Sequence, residues 1–226
     1  FPFLVYTASI PLALALWFWF PFLDKSSSTS IISYLKSLGG ALKNPRVQAV
    51  SLLNFLAFFL LYTVVTFIPQ RLTGPQFGMS EALAGVFLGV QAMGTIAVAM
   101  QSGKLVEMTE KGYLIGLGFL VSGIGFLVLP LRGVLLWIAL SLVVFGMGRG
   151  FFQPQINALI AEVAPEGRLG GIVAVNNIAK FAGQMASPLA LGIILAFSSF
   201  QMVFLTSGLI GIGTGVGAFV IVLLKS

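Results

Sequence analysis

The sequence predicts an all-α integral membrane protein: a six-helix bundle preceded by one further transmembrane helix. Three observations lead there. Of the 226 residues, 58% are hydrophobic and only 8% charged, with a mean hydropathy of +1.06, whereas soluble domains carry about 25% charged residues. Several stretches reach the roughly 20 apolar residues that a helix needs to cross about 30 Å of hydrocarbon. Most charges fall between these stretches, but Arg149 and Lys180 sit inside two of them.

Residues 1–23 form the first such stretch. Residues 24–46 read as a linker. It opens with the flexible run Ser26-Ser27-Ser28-Thr29-Ser30. It continues with Ile31, Ile32, Leu35, Leu38 and Leu42 at helical spacing, with Lys36 and Lys43 off that stripe, the pattern of a short amphipathic helix on the membrane surface. Further spans are expected at 47–69, 82–101, 113–130, 134–161, 170–197 and 202–224, the 134–161 span projecting past the membrane at its Glu162 end. The loops between them are short, so consecutive helices are antiparallel neighbours. Lys25, Lys36, Lys43, Arg46, Lys104, Lys111, Arg168 and Lys225 fall on one side, against Arg71 and Arg132 in loops on the other. This asymmetry puts the linker, the loops at 103–112 and 165–169 and the C-terminus in the cytoplasm, and the protein in the plasma (inner) membrane.

Composition also excludes function classes. The net charge of +6 comes from basic residues scattered among apolar segments, without the stripe that nucleic-acid binding needs. Cys and His are both absent, which removes thiolate metal sites and the commonest general base. Asp24, Glu81, Glu107, Glu110, Glu162 and Glu166 all lie in loops or at helix ends. No paired carboxylate or nucleophile–base set is left, so neither an enzyme nor a metal or cofactor site is expected. The chain begins with Phe1, and no basic n-region precedes the first apolar stretch. The expectation is therefore part of a longer chain, not a cleaved signal.

The intramembrane polar residues are the candidates for chemistry. A charge near the bilayer centre costs roughly 2.5–3.5 kcal/mol and needs a cavity, partner or ligand to compensate it. Arg149, Gln153 and Asn157 stand at i, i+4 and i+8 and so share one helix face. Asn176, Asn177, Lys180 and Gln184 make a second stripe, with Lys180 about 11 residues into its helix, or roughly 16 Å at 1.5 Å per residue. Ser51 and Asn54 belong to the 47–69 span, and Gln91 and Thr95 to the 82–101 span. These groups face the bundle interior or a wet cavity. The competing readings are amides acting as interhelical glue, Lys180 snorkelling, and Arg149 bonded to carbonyls where Gly146, Gly148 and Gly150 bring helices close. The pairs Gly211/Gly215, Gly213/Gly217 and Gly112/Gly116 read as small-residue packing faces, and Pro154 and Pro188 as kinks. Gly85 precedes Gln91 by six residues, as Gly171 precedes Asn177, in helices of opposite direction. That is the mark of two inverted three-helix repeats.

A known family resembles these residues. Tyr62, Pro69 and Leu72, followed by Gly78-Met79-Ser80, Ala84-Gly85 and Gly89, resemble helices seven and eight of major facilitator superfamily transporters. Gly103-Lys104-Leu105-Val106-Glu107 with Lys111 is similar to the second copy of their cytoplasmic Gly–acidic–basic loop, except that Glu110 replaces the inner Gly and Gly112 a basic residue. Gly146-Met147-Gly148, Pro154 and Asn157-Ala158-Leu159, then Pro165-Glu166-Gly167-Arg168 and Gly170, resemble helix ten and its following loop. Gly183, Ser187-Pro188 and Gly192 resemble helix eleven, with Ser187 in place of the usual Gly.

The resemblance implies that 1–23 is the last helix of an N-terminal half, 24–46 the cytoplasmic linker, and 47–226 the C-terminal six-helix half. It places Asn54, Arg149, Gln153 and Asn157 on cavity-lining helices. Gln91, Asn177 and Lys180 go to the face toward the other half, where Lys180 would pair with a carboxylate of that half. It implies secondary transport of a small solute by alternating access. The positive charge of Arg149, which the family pattern does not assign, suggests an organic anion or amphipathic metabolite. The alternatives are a proton-coupled drug or metabolite efflux antiporter and a non-transporting half-size membrane module. The expected partners are the lipid bilayer, a small solute and the missing half.

Overall fold

A computed structural model of the chain describes residues 44–131, 133–164 and 169–224, with isolated positions 11, 14, 15 and 39. The expected helix at 1–23, the amphipathic part of the linker, Arg132, the loop around Arg168 and Lys225 lie outside the described residues. The chain divides into two compact units, Phe1–Leu35 and Lys36–Ser226. All the helices below belong to the second.

These helices are α1 Pro45–Thr73, α2 Glu81–Ala99, the short α3 Ser102–Met108, α4 Lys111–Val128, α5 Leu135–Glu162, α6 Leu169–Phe197 and α7 Phe200–Leu223. A 3-10 turn, Leu129–Leu131, follows α4. All but α3 are long and apolar enough to cross a membrane, and no strand occurs among the described residues. The protein is a multi-pass membrane protein of all-α fold.

Local chemistry sets the helix ends. Asn44 caps α1 by accepting from the Arg46 N–H at 2.9 Å, and Pro45 supplies a helical φ where no donor is needed. Ser80 caps α2, whose first turn carries Glu81. Gly78, at φ +57°, provides the left-handed turn between the two.

Two boundaries correct the sequence reading. α1 does not stop at Pro69 but runs to Thr73, because a proline near a helix end removes only one donor from the ladder. Arg71, expected in a loop, is therefore a helical residue and only 7% exposed. The 103–112 segment, expected as a loop, contains α3, which buries none of its side chains and so has no apolar stripe to reveal it.

α1 packs mainly on α6, α2 on α5, and α4 on both α5 and α7. Exchanging α1, α2 and α4 for α5, α6 and α7 maps the α1–α6 contact onto α5–α2 and the α4–α7 contact onto itself. Consecutive spans alternate in direction, so the exchange reverses each helix, the pattern of inverted three-helix repeats, although the large α4–α5 contact has only a slight counterpart between α7 and α1. Its core is aromatic: Phe119 stacks on Phe152 at 4.3 Å, and Phe126 meets Phe145 at 4.9 Å.

Close helix approach depends on missing side chains. A Cβ at Gly146 or Gly150 would strike the α2 backbone at Gln91 or Thr95, and one at Gly148 would strike Ser122 and Gly118 of α4. Gly211 and Gly215 likewise admit Gly123 and Gly116 of α4, while Gly112 and Gly116 receive Val222 and Phe219 of α7. Gly213 and Gly217 face open space, so that expected packing pair makes no contact within the bundle. The Thr63, Ser187 and Ser207 hydroxyls, all fully buried, meet where α1, α6 and α7 converge.

Candidate functional site

The glycine contacts of α5 dictate what is left for its remaining face. Gly146 and Gly150 turn toward α2 and Gly148 toward α4. Arg149, Gln153 and Asn157, one helical turn apart, line a cavity of about 400 Å³ bounded by α1, α5 and α6. α1 contributes Asn54 and Phe58, again one turn apart, and α6 contributes Asn176, Asn177 and Lys180. Ile160 and Val173 add an apolar wall.

The two cations share one aromatic surface. The Lys180 Nζ lies 4.8 Å from the Phe58 ring centroid and the Arg149 Cζ 5.9 Å from the same centroid, while Lys180 also lies 5.6 Å from Phe181. A ring face attracts cations through its quadrupole but carries no net charge, so it holds them without neutralising them. Among the described residues, no acidic side chain lines the cavity. The buried Arg149 Nε has no hydrogen-bond partner among the described residues, so no carbonyl of the closely packed helices satisfies that donor.

The amides are only partly occupied with one another. Gln153 donates from Nε2 to Asn157 Oδ1 at 3.3 Å, and buried Asn54 donates from Nδ2 to the Asn176 carbonyl at 3.0 Å. Asn176 donates to the Ile172 carbonyl at 3.1 Å. The Oδ1 atoms of Asn54 and Asn176 and the Oε1 of Gln153 stay buried and unpaired. The two cations can hold an anionic group, the unpaired amide oxygens can accept from hydroxyl or N–H donors of the same solute, and the Phe58, Ile160 and Val173 surfaces can take an apolar body.

Of the residues singled out in the sequence, Asn54, Arg149, Gln153, Asn157, Asn177 and Lys180 all line this one cavity. Lys180 and Asn177, expected apart from Arg149, line it together with Arg149. Gln91 does not join them. It is 5% exposed, donates from Nε2 to Thr95 Oγ1 at 2.9 Å on its own helix, and lies where α2 meets Gly146. Its amide nitrogen is thus paired one turn away, at the contact between α2 and α5. Phe58 was not anticipated, although its i+4 spacing from Asn54 put it on the same face.

Comparison with known proteins agrees with this architecture. The sequence matches the profile of the Major Facilitator Superfamily over residues 2–188 and again over 50–226. The chain belongs to the major facilitator superfamily. Among solved structures, a mutant of the peptide transporter POT in complex with sulfate superposes with a TM-score of 0.66 at 16% identity. The match covers 77% of this chain and 37% of that one, and at such identity the likeness is one of fold. No match was found among curated protein sequences. In this major facilitator chain, the charged cavity is thus built within one six-helix bundle, with α1, α5 and α6 each supplying part of its lining.

Proposed function

We propose that this chain is the C-terminal part of a secondary transporter that moves a small organic anion or amphipathic metabolite by alternating access. The observation that carries the reading is the pairing of Arg149 and Lys180 on one Phe58 ring, in a cavity that no carboxylate among the described residues lines. An anionic group placed there gains charge-assisted hydrogen bonds and relieves the repulsion between the two cations. The unpaired oxygens of Gln153 and Asn54 accept from hydroxyl or N–H groups elsewhere on the solute, and the Asn157 amide nitrogen is a donor for it. On this reading, residues 47–226 are one half of the transporter and 1–23 and 24–46 are the last helix of the other half and the cytoplasmic linker. The linker side is cytoplasmic in the plasma (inner) membrane, and the missing half closes the cavity. Among the described residues, Glu81, Glu107, Glu110 and Glu162 sit at helix ends or in α3. Proton-coupled efflux therefore draws no support from these helices.

Titration of the purified protein with benzoate and its neutral analogue benzamide tests the proposal. Arg149→Gln and Lys180→Gln should each weaken benzoate binding about tenfold or more, as expected for loss of a charged hydrogen bond, and leave benzamide unaffected. Equal benzoate affinity in wild type and both variants overturns the anion assignment.

A further inference from the structure

The C-terminal end of α1 holds a third cation, which the cavity above does not use. Arg71 lies in the last turn of α1 and is 7% exposed, yet its Nη1 is buried with no hydrogen-bond partner among the described residues. Its Cζ stands 5.7 Å from the Phe204 ring centroid, a contact that holds the guanidinium without neutralising it. Arg71 faces a separate cavity of about 400 Å³, bounded by Gln76 after α1, by Pro130, Leu131 and Gly133 between α4 and α5, and by Ser199, Phe200 and Gln201 at the start of α7.

The start of α7 supplies an independent second feature. A helix of 24 residues presents its first-turn N–H groups and the positive end of its dipole at this point, and the Ser199 side chain makes no capping hydrogen bond to them. A buried guanidinium with a free donor and an uncapped helix N-terminus thus line the same space. Among the described residues, no acidic one lines it. The cation also lies near the C-terminal carbonyls of α1, which favours a positive charge but leaves Nη1 unpaired.

We propose that this end of the bundle is a second oxyanion-binding site, taking a phosphate, sulfate or carboxylate group between the Arg71 guanidinium and the first turn of α7. Helix N-termini and arginine forks both match the geometry of such groups. The same chemistry is offered by a free anion and by the phosphate of an anionic lipid. The site is separate from the Arg149–Lys180 cavity and stands whether or not the function proposed above is right.

Two measurements on the purified chain separate the sources. Inorganic sulfate is titrated against thermal unfolding in neutral micelles, and bound phosphatidylglycerol is counted by native mass spectrometry from phosphatidylcholine nanodiscs doped with it. Arg71→Gln should lower apparent affinity about tenfold or more in whichever arm responds. Gln76→Glu, at an exposed position where folding is not at stake, should do the same by offering Arg71 a competing carboxylate. A sulfate response identifies a free-anion site, and a response confined to the lipid arm identifies a headgroup site. The Arg71-dependent signal should persist in Arg149→Gln. The proposal is overturned if wild type responds in neither arm, if Arg71→Gln and Gln76→Glu respond like wild type, or if Arg149→Gln alone abolishes the signal.

Discussion

Lys180 on α6 and Arg149 on α5 face the same Phe58 ring of α1, at 4.8 and 5.9 Å from its centroid. Three helices that are distant in sequence are thereby joined through two like charges and one quadrupole. The arrangement is held from outside: α6 packs on α1, and α5 is fixed to α2 and α4 by its glycines. The cations are kept close by helix packing, although they repel each other.

This makes Phe58 an energetic probe. Each cation–π contact is worth roughly 0.5–2 kcal/mol depending on desolvation. Phe58→Leu keeps an apolar side chain but removes the quadrupole. It should lower the thermal midpoint in anion-free buffer and enlarge the stabilisation given by benzoate, because the anion then supplies all the counter-charge. A variant with wild-type midpoint and wild-type benzoate response would show that the ring does not offset the charges.

The glycines of α5 and α7 predict opposite outcomes for similar changes. At Gly148 an added side chain meets Ser122 and the Gly118 carbonyl, backbone that cannot move without parting α4 from α5. Gly148→Val should cost at least the roughly 1–3 kcal/mol typical of overpacking. At Gly213 nothing lies within 4 Å. Gly213→Ala should leave the midpoint unchanged or slightly higher, since Ala is the better helix former. Melting both variants in the same micelle decides the matter, and equal midpoints would contradict the packing described.

How legible this was in the sequence differed from residue to residue. Arg149, Gln153 and Asn157 were readable because helical spacing alone puts them on one face, and hydropathy located the spans to within a few residues. That Lys180 and Asn177 join Arg149 was not readable. Spacing fixes which residues share a helix face, but not how α6 is rotated against α5, which depends on the fit of Gly183 against the α1 backbone at Phe55. Arg71 was missed because a charge two residues after a proline looks like a loop, and that Gln91 stands apart from this cavity was not readable because a paired amide and a ligand-binding one look alike in sequence.

The Thr63 hydroxyl lies 3.1 Å from Ser187 Oγ and 3.4 Å from Ser207 Oγ, and also donates to the Phe59 carbonyl. Interhelical hydrogen bonds in membranes average about 0.6 kcal/mol, because the unfolded chain in lipid also finds partners. Thr63→Val, close in shape, should therefore destabilise by about that amount and by less than Gly148→Val. A loss above about 2 kcal/mol would mean that the three hydroxyls act as a cooperative network, which a cycle with Ser207→Ala would expose.

The Lys111–Glu162 ion pair, at the start of α4 and the end of α5, looks at first like a gate latch at the linker end of the bundle. Its surroundings favour a lesser role. The two side chains are 28% and 51% exposed, so water and salt screen the pair, and exposed pairs typically contribute about 0–1 kcal/mol. The helices that it joins are already locked by Gly118, Gly125 and Gly148 along their buried faces, which do not slide without steric clash. Glu162→Gln should shift stability by less than about 1 kcal/mol, with the shift vanishing near 1 M salt. The charge swap Lys111→Glu/Glu162→Lys should restore whatever is lost. A latch would behave otherwise: Glu162→Gln would speed hydrogen exchange at the start of α4 and the end of α5 while leaving the thermal midpoint alone, and that result would mean that the two helices part at this end.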